Sequence, residues 1–108
     1  MQKITPFSEL LPKLGNFQKV ETFESGREYK TCQTNKSVKN QFKIVFANGN
    51  IFQSYETFIG VKFNNGNLYL SQKHDTTITT SKYCSIWCGL DKKERVAGLK
   101  AGTIYPME

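Results

Sequence analysis

The chain has 108 residues, 38% of them hydrophobic and 22% charged, with a net charge of +6. That supplies one modest core: too little for two domains and too much for a disordered chain. Three cysteines (Cys32, Cys84 and Cys88) are an odd set for a disulfide scaffold. Residues 1–15 hold no apolar run as long as a signal peptide or membrane span needs. The expectation is a cytoplasmic protein with reduced thiols and no membrane partner.

The aromatic content is high, with eight Phe, five Tyr and one Trp, so few residues can fill the core. Charge is uneven. Between Lys30 and Lys82 seven lysines (30, 36, 39, 43, 62, 73 and 82) face only Glu56 and Asp75. A basic middle segment suits a polyanion or an acidic protein, although the outer face of a solvated sheet carries scattered lysines too.

Thr5 and Pro6 offer an N-cap and first position for a short helix, which Pro12 limits to a turn or two. Phe7, Leu10, Leu11 and Leu14 fall at helical spacing and are expected to staple this segment onto the sheet. Residues 17–24 read as a strand. Ser25 and Gly26 read as a turn, and residues 28–32 as its returning strand.

The strongest strand is residues 41–47, with Phe42, Ile44 and Phe46 on one face. Asn48-Gly49 supplies a tight hairpin turn, and residues 51–54 return antiparallel. Residues 55–63 are expected to follow, with Tyr55, Thr57, Ile59, Val61 and Phe63 on one side. Gly60 marks a bulge or a close approach by another backbone. Asn64, Asn65, Gly66 and Asn67 make the next turn before a strand at 68–71.

The period then changes. Thr79, Thr80 and Ser81 offer caps for a helix over about 81–88, with Tyr83, Ile86, Trp87 and Leu90 on its inner face. Asp91 caps a second helix with Lys92, Lys93, Glu94 and Arg95 outward and Val96 and Leu99 inward. Gly102 closes that helix, and residues 103–105 form a last extended piece. The predicted fold is α+β: an antiparallel meander of four to six strands with C-terminal helices on one face, in a single domain.

No catalytic set stands out, and no cofactor is expected. His74, the only histidine, adjoins Asp75, but sequence adjacency supplies no hydrogen-bond geometry, so a surface or turn role is expected. Cys84 and Cys88 share a helix face, yet two thiols fall short of a structural zinc site and read as small buried side chains.

Thr76, Thr77, Thr79, Thr80 and Ser81 with Lys82 combine hydroxyls, a helix N-terminus and a cation, which is how an anion is held. Capping alone also accounts for them. Tyr55, Tyr69 and Tyr83 interleave with Lys62, Lys73 and Lys82, and Lys43 adds a further cation on the sheet. Aromatic platforms beside cations bind single-stranded nucleic acid. That reading gains if Tyr69 and Phe58 lie on the sheet face opposite the helices.

The set Asn40-Gln41-Phe42, Phe52-Gln53-Ser54-Tyr55-x-Thr57-x-Ile59 and Asp75-x-Thr77-x-Thr79-Thr80-x-Lys82-Tyr83 resembles small bacteriophage-encoded proteins of unknown function. The likeness runs on through Trp87 and Gly89 to Gly102, so it covers about residues 40–102. Residues 1–39 stand outside it as a variable part. Gly60 stands where Ala is more usual in that group. The resemblance implies a phage origin and no known catalysis.

Two expectations follow. The first is a non-enzymatic phage accessory protein that binds a host protein or ribonucleoprotein, for example to inhibit a host defence system such as a CRISPR effector. The alternative is direct nucleic-acid binding through a basic sheet face and the helix start at 79–82.

Overall fold

Alternating large apolar and polar residues over 41–54 build the middle of a six-stranded sheet. The computed structural model describes residues 4–24 and 37–108. The strands are β1 (Phe17–Glu24), β2 (Ser37–Phe46), β3 (Gly49–Ser54), β4 (Thr57–Phe63), β5 (Leu68–Ser71) and β6 (Tyr105–Met107), and they lie in that order. Neighbours run antiparallel from β1 to β5, and β6 joins β5 in parallel. The turn and strand expected at 25–32, and Cys32, lie outside the described residues.

Two helices cover one side of the sheet. They are α2 (Ile78–Cys88) and α3 (Lys92–Ala101), and α1 (Phe7–Leu10) precedes them near the start of the chain. On this helical side Phe52, Ile59, Leu68 and Leu70 bury against Tyr83, Cys84, Trp87 and Ile104. The Trp87 ring stacks on Phe52 with centroids 5.7 Å apart, and its indole N–H donates to Asn50 Oδ1. Burying one such large side chain is worth about 1.5–3 kcal/mol.

The opposite side is covered as well, by the N-terminal segment, which was expected to staple onto the sheet without its face being fixed. α1 runs into a 3-10 turn, Leu11–Leu14. Leu10 and Leu14 bury fully against Ile51, Val61 and Met107. Leu11, expected to join them, is 41% exposed. The segment is also stitched to the far end of the chain. Thr5 bridges Met107 in parallel, Thr5 N donates to Pro106 O at 3.1 Å, and Phe7 N donates to Glu108 O at 2.7 Å.

β4 starts later than expected, because Tyr55 turns with a positive φ of 56° and the strand begins at Thr57. A bulge between β3 and β4 puts Ile59 and Gly60 where one residue belongs. Ile59 therefore enters the helical side, while Val61 faces the N-terminal segment. Gly60 sits at the bulge, as one half of its expectation had it, but what approaches it is a side chain rather than another backbone: a Cβ there would lie 2.8 Å from the Trp87 ring.

The helix starts earlier than the hydroxyl pattern implied. Thr77, with extended backbone, is the N-cap of α2, so Thr79, Thr80 and Ser81 lie inside its first turns. The inner stripe is Thr80, Tyr83, Cys84, Trp87 and Cys88, which leaves Ile86 47% exposed rather than inward. α3 begins as expected, with a reciprocal capping box between Asp91 and Glu94, and ends at Gly102 in the left-handed region.

Candidate interaction surface

Three hydroxyls join the start of α2 to the β3–β4 turn. Thr77 Oγ1 accepts from Thr80 N at 3.0 Å and donates to Thr80 Oγ1 at 3.1 Å. Thr80 Oγ1 lies 2.9 Å from Ser54 Oγ, in a buried contact. Thr80 is thus a structural link between helix and sheet. Ser81, half-buried, accepts from Arg95 Nη2 at 2.8 Å. Of the four candidate residues at 79–82 only Thr79 is exposed, and Lys82 is half-buried. The Lys82 ammonium sits 4.9 Å over the Tyr83 ring.

Arg95 was expected outside and is fully buried. Its Nε donates to His74 Nδ1 at 3.0 Å, and Nη1 donates to Leu90 O at 2.9 Å and to Ser85 Oγ. One guanidinium therefore ties α3 to α2, to the loop between them, and to the 3-10 turn Gln72–Asp75. His74 was expected at the surface. It is 4% exposed, and burial holds its pKa below the ordinary value, with Asp75 opposing and Arg95 and Lys92 reinforcing the shift. Lys92 pairs with Asp75 at 3.5 Å across the same junction.

A pattern could have found Arg95. Positions 95, 98 and 99 share the inner stripe of α3, and Leu99 already pointed inward. The residue type argued against it, because Arg is rarely buried unless its donors are met.

The remaining candidates are spread around the molecule. Lys43 lies on the helical side of the sheet, 3.8 Å from Glu21. Lys62 is on the same side but beside α3, in a groove of about 610 Å³ that Leu68, Leu90, Ala97 and Ile104 also line. Tyr69 and Phe58 do lie opposite the helices, as the nucleic-acid reading wanted. However, the N-terminal segment occupies that side. Phe58 stacks on Phe7 at 4.6 Å, and Tyr69 packs between Phe63 and Tyr105 at 5.9 and 5.1 Å. Lys73 is exposed on the 3-10 turn, and Tyr55 is exposed in the β3–β4 turn. Tyr55 and Thr79 are brought to one end of the sheet by the Ser54–Thr80 contact. Lys43, Lys62 and Tyr69 are not.

Cys84 and Cys88 are buried and free, as expected for small core side chains. Their shared hydrogen bond, with burial, pushes the Cys84 thiol up, so it stays protonated. Among the described residues no group of three or more His, Cys, Asp or Glu is placed to hold a metal ion, and no helix is long and apolar enough to cross a membrane.

The side of the sheet opposite the helices is only partly covered. The N-terminal segment sits over β3, β4 and β6, Ile44 and Phe46 of β2 pack in part against the cluster it forms, and the β1 edge of this side is left exposed. There Phe17 is 58% and Val20 52% exposed, beside half-buried Ile44 and Phe46. Phe17 meets Phe46 edge-on at 5.8 Å.

No curated protein and no solved structure matches the chain. A model described as a family of unknown function, DUF8033, matches residues 21–102, from the second half of β1 to the end of α3. The chain belongs to that family.

Proposed function

We propose that this is a non-enzymatic phage accessory protein that binds a host protein through the apolar strip at the β1 edge of its sheet. The observation that carries the reading is the exposed apolar strip of Phe17 and Val20 beside Ile44 and Phe46. Contiguous apolar surface of this kind marks interaction sites. The occupant is an apolar protein surface with acidic residues around it. The strip itself is uncharged at these four positions, while the protein carries +6 elsewhere, so an acidic rim is attracted and an apolar centre is desolvated. Inhibition of a host defence complex such as a CRISPR effector is one concrete form. The phage origin rests on the resemblance over residues 40–102.

The test is capture from nuclease-treated host lysate by the wild-type chain and by a Phe17→Ser/Val20→Ser variant with an unchanged circular dichroism spectrum. The expected result is one defined partner, retained by the wild type and lost by the variant. Equal capture by both, or no partner after nuclease treatment, overturns the reading. Direct nucleic-acid binding keeps the support of Thr79 and Lys82 at the open start of α2. Titration with labelled RNA and DNA at two salt concentrations separates the two, since phosphate binding weakens steeply with salt.

A further inference from the structure

β1 is the outermost strand of the sheet among the described residues, so half of its backbone N–H and C=O groups point away from β2. Its middle is regular. Lys19, Val20, Glu21 and Thr22 pair one for one with Val45, Ile44, Lys43 and Phe42, and irregularities in register fall on either side of this stretch. Lys19 and Glu21 share the helical side of the strand, 3.1 Å apart, with side chains 62% and 42% exposed. Val20, between them, points to the opposite side and is 52% exposed.

A lysine on an edge strand normally guards against pairing, because two copies would bring like charges together. Here the guard is undone by the glutamate two positions on. If two copies of β1 run antiparallel with Val20 on the two-fold axis, each Lys19 lies directly opposite the other copy's Glu21. Glu21 already has Lys43 opposite it on β2, at 3.8 Å. A row of alternating charge then crosses the junction on the helical side, and the two Val20 side chains meet on the other. The strand is self-complementary in this register and in few others: a shift by one residue sets Val20 opposite Glu21 and inverts the faces.

We propose that the protein forms a two-fold dimer by antiparallel pairing of β1 with the β1 of a second copy, in the register centred on Val20. Pairing continues the sheet from six strands to twelve and sets the two open apolar strips side by side. This inference stands on the charge pattern of β1 and is independent of which host partner, if any, occupies the strip.

The test is sedimentation equilibrium of the full chain, with Lys19→Glu and Glu21→Lys as single variants and as an equimolar mixture. The wild type is expected to move from 12.4 kDa toward twice that mass with rising concentration. Each single variant places like charges opposite each other at two sites and is expected to associate about tenfold more weakly or less. The mixture restores opposite charges at both sites and is expected to recover the wild-type mass as a heterodimer. Circular dichroism of the single variants checks that they fold. A wild type that stays at 12.4 kDa at all concentrations overturns the proposal. So do single variants that dimerise like the wild type, and so does a mixture that fails to recover.

Discussion

Arg95 Nε donates to His74 Nδ1 across 3.0 Å, and both side chains are almost completely out of solvent. The remaining guanidinium donors reach only hydroxyls and a backbone carbonyl. Removing the arginine strands four acceptors from three elements. Arg95→Ala is expected to lower stability by about 3 kcal/mol or more, read from urea denaturation. Arg95→Lys keeps the charge but not the fork, and should recover only part of the loss.

The same contact makes stability depend on pH. Burial, the main cause, holds native His74 below its ordinary 6.5, so the unfolded chain takes up the proton first on acidification. The contribution is complete above pH 6.5 and is lost as pH falls through the native value. The urea midpoint should fall between pH 7 and 5, and His74→Gln should flatten that slope.

Gly60 has its α-carbon against the Trp87 ring and Leu70, with 2.8 and 2.9 Å left for a Cβ. Neither neighbour is a flexible chain end with room to retreat, because both are buried. Gly60→Ala is expected to cost about 1–3 kcal/mol by overpacking, seen as a lower thermal midpoint.

The Ser54–Thr80 contact is buried and joins the sheet to α2. Ser54→Ala or Thr80→Val alone leaves the other hydroxyl short of a partner and should cost about 1 kcal/mol. The double variant should cost less than the sum of the two, which a double-mutant cycle in urea measures.

The strands were legible because Phe42, Ile44 and Phe46 alternate cleanly and Asn48-Gly49 fixes the hairpin. Both ends of the second helix were legible for a similar reason: the Asp91 cap and the Gly102 stop each act within one turn. What escaped depends on distant partners. The start of α2 was misplaced because four threonines around it all have capping oxygens, and only the sheet decides which one caps. Arg95 and His74 were read as surface groups because their burial needs donors and acceptors to meet across 21 positions. Phe58 and Lys62, expected on one face of β4, part because the bulge at Ile59 and Gly60 leaves Phe58 opposite the helices and Lys62 on their side. The open strip was not anticipated, since its exposure depends on how little of the sheet residues 4–14 cover.

The pairing of Thr5 with Met107 brings together two points about a hundred positions apart along the chain. Closing so large a loop is entropically slow, and β6 holds only three residues of ladder once it is closed. That border of the sheet should therefore be the last seam to knit during refolding. In native-state hydrogen exchange, the amides of Thr5, Phe7 and Glu108 should lose protection well before those of β3.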